Sequence, residues 1–283
     1  MGSFVLCVDG VSVKIGIIGS EGVVGNACKF GFELIGHKVL SHDLKLNTSL
    51  SDVIESDLIF VCVPTPSNPD GSCNVDIVES VILELDKLTQ VRKTVAIKST
   101  IVPGTTQRLQ EMCSNLSLCF VPEFLKERSA ILDFTERHDL CVIGCAQSSL
   151  FFDNYAYDLI KMAHGRLPKK FFKMTSTNAE FCKYFNNSFG AMLTVFANSF
   201  YEICEKYNAD YSIIKEAMTN RNFISNEYLE CNEKWRGYAG PCWTKDLPAL
   251  NKIAEGTGVE FFKHIIEENE KYIKTVPGGM RMK

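Results

Sequence analysis

Val13-Lys-Ile-Gly-Ile-Ile-Gly-Ser-Glu-Gly-Val-Val-Gly25 is the stretch that decides the fold. A β-branched run, Val13 to Ile18, is followed at once by glycines. Helical spacing then runs from Gly25 to Ile35, and Gly36 closes it. A strand, a glycine turn and a helix in that order bring backbone N–H groups and the positive end of a helix dipole to one point, which suits a pyrophosphate. Gly19, Gly22 and Gly25 let the backbone approach that anion closely. His37 to His42 predicts a second strand, and Asp43 ends it. A carboxylate there accepts ribose hydroxyls and repels a 2′-phosphate, so NAD is favoured over NADP. The glycine spacing is one residue longer than Gly-x-Gly-x-x-Gly, and the plain alternative is a tight turn with Asp43 as a solvated strand end.

Outward from this unit, strand and helix signals alternate. Asp57 to Val63 predicts a strand stopped by Pro64, and Val75 to Leu88 has helical spacing. Thr94 to Lys98, Leu118 to Val121 and Asp139 to Gly144 predict further strands. The alternation predicts an α/β fold with a doubly wound parallel sheet. After about Phe172 no strong strand run appears. Asn178 to Asn208 is one long helical segment without proline, suited to a central helix or a dimer interface. Tyr211–Thr219, Leu247–Gly256 and Phe261–Lys274 predict three more helices, and Pro277-Gly-Gly a terminator. The expected division is a dinucleotide-binding domain over 1–172 and an all-α domain over 173–283.

A chain of 283 residues has room for about two domains. With 46% hydrophobic and 23% charged residues it can bury a core, which excludes wholesale disorder. The formal charge of −4 argues against a nucleic-acid-binding domain. The 12 cysteines include no Cys-x-x-Cys pair, so no metal site is expected. Several lie inside apolar runs, as Cys62 does, and suit small core residues in a reducing, cytoplasmic setting. The first ten residues lack the basic segment of a signal peptide. No apolar run approaches the ~20 residues needed to span a bilayer.

Five motifs then occur in order: Val63-Pro-Thr-Pro66, Lys98-Ser-Thr-Ile-Val-Pro-Gly-Thr105, Pro122-Glu-Phe-Leu-Lys-Glu127, Ala179-Glu-Phe-Cys-Lys-Tyr-Phe-Asn-Asn-Ser-Phe189 and Gly237-Tyr-Ala-Gly-Pro-Cys-Trp-Thr-Lys-Asp246. Together they resemble the UDP-glucose/GDP-mannose dehydrogenase family over roughly residues 14 to 256, most closely its UDP-glucose branch. The resemblance implies a Rossmann-like NAD domain followed by a helical central domain, and the length of the long helix leads us to expect a homodimer through it. It also implies a four-electron oxidation of a nucleotide sugar's C6 alcohol to the acid, using two NAD+ and one water.

The resemblance assigns roles residue by residue. Cys242 matches the nucleophile that traps the aldehyde and carries the thioester, as a thiolate is suited to do. Lys183 and Asn187, four apart on one helix face, match the lysine and asparagine that stabilise a developing oxyanion. Asp246 matches an aspartate that helps activate water or the alcohol, Glu123 a general acid/base, and Thr100 a holder of the catalytic water. Implied cofactor contacts are Gly19, Gly22, Val24, Asp43, Pro64, Thr65, Thr100, Glu127 and Lys245. Implied substrate contacts are Phe124, Leu125, Lys183, Arg221, Tyr238 and Gly240, with Arg236 a further candidate for the substrate phosphate. Without the resemblance, Lys183 is a solvated helix charge and the acids are caps or surface groups.

Four features depart from the family pattern. The nucleotide loop carries its extra residue, and Arg128 stands where a glycine usually follows the second glutamate. In the nucleophile loop Ala239 and Pro241 restrict the backbone before Cys242, and Trp243 replaces a smaller aromatic. The fourth departure is the expected absence of the family's C-terminal UDP-binding domain, as in a natural short form, a shortened chain or a protein that needs another polypeptide. Two other readings stand beside a dehydrogenase of nucleotide sugars. One is an NAD-binding dimeric scaffold without turnover. The other is a β-hydroxyacid dehydrogenase, which would not need Cys242.

Overall fold

The structure, a computed structural model, describes residues 12–146 and 150–276. The expectations about the first ten residues and about Pro277-Gly-Gly lie outside the described residues. Contacts divide the chain into two units: residues 1–66 with 74–183, and residues 67–73 with 184–283.

The first unit is built on β1 (Lys14–Ile18), α1 (Val23–Leu34), β2 (Lys38–His42), β3 (Leu58–Val61), α2 (Asp76–Leu88), β4 (Lys93–Ile97), α3 (Thr105–Met112), β5 (Leu116–Phe120), α4 (Ala130–Thr135), β6 (Leu140–Cys145), α5 (Leu150–His164) and β7 (Lys170–Thr175). Among the described residues the strands form one sheet in the order β2-β1-β3-β4-β5-β6-β7. Successive side chains alternate between its faces. Ile15, Ile17, Leu58, Phe60, Ala96 and Cys119 pack against α1 and α5. Ile18, Ile59, Val61, Val95, Ile97 and Phe120 pack against α2 and α3. Burial on both faces is why these strands are continuous apolar runs.

The sheet is parallel except between β5 and β6, which run antiparallel. The expected doubly wound parallel sheet is therefore present, with this one antiparallel pair near its β7 edge. The connection from β5 holds a 3-10 turn, Glu127–Ser129, and one short helix, the six-residue α4, which docks on α1 instead of crossing the sheet. Its Phe134 lies where a Gly31 side chain would go: a Cβ there would come within 2.2 Å of the ring. The chain therefore re-enters the sheet from the end it left. Edge strand β7 escaped prediction because none of its residues is fully buried and it carries Lys170 and Lys173, as edge strands do.

Helix α6 (Ser176–Lys206) leaves β7 directly, and the boundary between the units falls within it, after Lys183. In the second unit its later turns pack with α7 (Tyr211–Thr219), α8 (Trp243–Ile253) and α9 (Phe261–Ile273). The segment Ser67–Cys73 belongs with these helices and closes on itself through a Ser67–Cys73 bridge. Cys28, Cys73, Cys113, Cys119, Cys141, Cys145, Cys204 and Cys231 are buried and Cys242 is exposed. Among the described residues no helix is long and apolar enough to cross a membrane.

Candidate active site

In the first unit the glycine turn joins β1 to α1. Gly19 has φ +84°, and a Cβ on it would come within 2.6 Å of the Cys62 carbonyl oxygen. A Cβ on Gly25 would fall 2.1 Å from the Gly19 oxygen. Both positions therefore exclude any other residue. Gly22 caps α1 with no side-chain hydrogen bond, leaving the first-turn N–H groups without a side-chain acceptor. Val24 packs on the sheet core. Asp43 Oδ2 accepts the Glu21 N–H and Oδ1 the Lys45 N–H, both at 3.0 Å. Burial works to raise its pKa, but these N–H groups outweigh it and hold the carboxyl below its ordinary value. A bare backbone cradle at a helix N-terminus with a fixed anionic carboxylate beyond it fits the diphosphate and ribose of NAD.

The segments following β3, β4 and β5 complete this unit. Pro64 and Thr65 follow β3, and the Ser99 hydroxyl donates to the Val63 carbonyl at 2.7 Å, tying that turn to the segment carrying Thr100. Lys98, almost wholly buried, donates to the Val121 carbonyl at 3.2 Å. Lys183 Nζ donates at 2.7 Å to both the Glu123 carboxylate and the Glu123 carbonyl. The other carboxylate oxygen of Glu123 accepts the Leu125 N–H at 2.7 Å. The side chains of this pair are only 5% and 10% exposed. Phe124 and Leu125 pack against opposite faces of the sheet. Glu127 is exposed in a short 3-10 turn, Glu127–Ser129.

In the second unit Asn187 donates to Asp246 Oδ2 at 2.6 Å, and Lys245 Nζ donates to Asp246 Oδ1 at 2.6 Å. Asn187 and Asp246 are both buried. Cys242 caps α8, and its carbonyl accepts the Asp246 N–H at 2.8 Å. The exposed nucleophile candidate is therefore one helical turn from the acid. Tyr238 is buried in the loop before it, and burial pushes its phenol well up. Gly240, with φ +100°, makes the turn toward Cys242, and the Thr244 hydroxyl donates to its carbonyl at 2.6 Å. Trp243 stacks edge-on against Tyr228 and Tyr238, with ring centroids 5.0 and 5.7 Å away.

The structure thus brings Lys183 to Glu123 and brings Asn187, Lys245 and Asp246 together near Cys242. Arg236 is committed elsewhere. It is buried over the Tyr201 and Tyr272 rings, donates to Asn198 at 2.9 Å and pairs with Glu202. Arg221 is exposed, its guanidinium 4.9 Å from the Phe223 ring centroid. Among the described residues no group of three or more His, Cys, Asp or Glu side chains is placed to hold a metal.

Three supporting residues escaped the sequence reading. Buried Glu180 accepts the N–H of Gly104 at 2.5 Å, and the N–H and hydroxyl of Thr106 at 2.9 and 2.6 Å, so it caps α3 from the turn of α6 that holds Lys183. Asn198 accepts the Gly237 N–H at 3.0 Å, and Asn269 exchanges two hydrogen bonds with the Tyr238 backbone. An asparagine inside a helix competes with its backbone, and that mismatch is the signal that would have found the last two.

Residues 2–154 match the model of the UDP-glucose/GDP-mannose dehydrogenase family, NAD binding domain, and residues 177–271 match the same family's central domain. The chain is 30% identical over 248 residues to UDP-glucose 6-dehydrogenase YwqF of Bacillus subtilis, covering 84% of this chain and 54% of that protein. It is 28% identical over 249 residues to UDP-glucose 6-dehydrogenase TuaD of the same organism, covering 84% and 52%. A UDP-glucose dehydrogenase structure from Pyrobaculum islandicum superposes with a TM-score of 0.83 at 24% identity, covering 93% of this chain and 69% of that one. The chain spans about half the length of the curated relatives it matches.

Proposed function

The chain belongs to the UDP-glucose/GDP-mannose dehydrogenase family, and on that premise we propose that it oxidises the C6 alcohol of a nucleotide sugar, UDP-glucose first, to the carboxylic acid. Bound NAD+ supplies a hydride acceptor for each of the two oxidations. The observation that carries the reading is the exposed Cys242 at the start of α8, one turn before an Asp246 already held by Asn187 and Lys245.

Lys183 and Asn187 stabilise negative charge on the C6 oxygen as its proton passes to a water beside Asp246 and the first C6 hydride leaves, giving the aldehyde. The Cys242 thiolate adds to the resulting aldehyde carbon, forming a thiohemiacetal, and loss of the second hydride leaves a thioester. Thr100 holds a water, Glu123 takes its proton, and the hydroxide expels the Cys242 thiolate to give the acid. The sum is one alcohol, one water and two NAD+ converted to one acid, two NADH and two protons.

A long apolar stripe supports a homodimer through α6. Phe185, Phe189, Phe196, Phe200, Ile203 and Tyr207 fall at helical spacing, and all stand exposed.

Incubation of the purified protein with NAD+ and UDP-glucose, following NADH absorbance, tests the reading. It expects two NADH per sugar, with turnover abolished by Cys242→Ser. NADH binding without oxidation of any nucleotide sugar would overturn it in favour of a scaffold. Oxidation of a small hydroxy acid surviving Cys242→Ser would favour a β-hydroxyacid dehydrogenase.

A further inference from the structure

A cavity of about 390 Å³ opens beside the glycine turn. One wall is the start of α1 with Glu21, Gly22 and Asn26, and the other is the 3-10 turn carrying Glu127 and Arg128. Arg128 is the one cation among the residues lining it, and Glu21 and Glu127 are the two acids among them. The nearby acid Asp133 is taken by the Lys126 N–H and the Ser129 hydroxyl, both at 2.9 Å, and by Arg137 at 3.9 Å. Among the described residues Arg128 makes no ion pair. Its turn is anchored to α1, because α4 follows at once and seats Phe134 on Gly31.

We propose that Arg128 is the counter-charge for the diphosphate of the bound dinucleotide, and that it sets cofactor affinity in this chain. The inference rests on the NAD site described above. A diphosphate carries two negative charges, whereas the N-terminus of α1 offers about half a positive charge. Glu21 and Glu127 repel the diphosphate further. A guanidinium matches phosphate oxygens with a planar fork of donors and remains charged at any working pH. Arg128 therefore supplies what the glycine usual in the family pattern at this position cannot. It binds the cofactor and takes no part in the hydride transfer.

Calorimetric titration with NADH, ADP-ribose and adenosine tests this, since only the first two carry a diphosphate. Arg128→Gln is expected to weaken NADH and ADP-ribose at least about tenfold, flatten their salt dependence and leave adenosine unchanged. Arg128→Lys should restore part of the loss. ADP-ribose affinity within twofold of the wild type in Arg128→Gln overturns the inference, and so does an equal loss for adenosine, which marks general damage. Failure of the wild-type protein to bind NADH would instead overturn the cofactor site itself.

Discussion

Lys183 grips Glu123 at two points, its ammonium donating to the carboxylate and to the main-chain carbonyl of the same residue, each at 2.7 Å. An ammonium and a carboxylate so little exposed stabilise each other only as a pair. Lys183→Met should therefore strand a buried carboxylate and cost about 3–5 kcal/mol in urea unfolding. Glu123→Gln should leave the first oxidations running and stall hydrolysis, so that intact-mass analysis finds an acyl adduct on Cys242. Full turnover in Glu123→Gln would remove Glu123 from the chemistry.

Gly190 and Trp243 form a matched pair. A Cβ on Gly190 would lie 2.6 Å from the indole Cζ2, so the missing side chain makes room for the bulky residue after Cys242. Gly190→Ala should cost about 1–3 kcal/mol through overpacking. Trp243→Phe should recover part of that loss in the double variant, by a coupling of about 1 kcal/mol in denaturant titration. Strict additivity would show that the two residues act independently.

Glu180 joins α6 to the Gly104–Thr106 turn through three accepted hydrogen bonds. Glu180→Ala leaves those donors buried without their acceptor and should cost roughly 3 kcal/mol. Hydrogen exchange at the Gly104 and Thr106 amides should accelerate more than at the sheet amides of β1. Unchanged protection at those two amides would show that another group caps α3.

His138 and His164 make the first unit acid-sensitive. His164 is buried among Phe32, Phe60, Phe134 and Phe171. Its pKa is pushed well below 6.5, by burial first and then by the Lys98 charge. Burial, with Lys98, also pushes His138 down to about 4. The unfolded chain therefore takes up these protons first as pH falls. Stability is complete above the unfolded value of about 6.5 and declines toward pH 4, by about 1.4 kcal/mol per pH unit for each histidine. Urea titrations between pH 7.5 and 4.5 should show this slope, and His138→Gln should remove one histidine's share of it.

The exposed aromatic stripe of α6 should be covered in solution. Phe185 is 73% and Phe196 56% exposed in the single chain. Phe185→Lys with Phe196→Lys should shift the protein from dimer to monomer in sedimentation velocity, because burying two ammonium groups in an apolar interface is strongly unfavourable. A wild-type monomer at the same concentration would refute the dimer.

The sequence by itself determined strands β1 to β6, the glycine turn, the Asp43 strand end and, to within a residue, the helix boundaries of α7 and α9. These rest on local signals: continuous apolar, β-branched runs, glycines where a Cβ cannot fit, and helical spacing between breakers. The candidate catalytic residues were legible through motifs whose spacing survives in one chain. Only tertiary structure decided the rest. That β6 runs antiparallel depends on where α4 docks, and β7 carries too few buried positions to show a pattern. That Arg236 lies buried in an ion pair, that Glu180 caps a helix 74 residues earlier, and that Gly190 yields to Trp243 are pairings between distant segments. Local propensity carries no information about such partners, because their free energy appears only when folding brings the two segments together and removes the water between them.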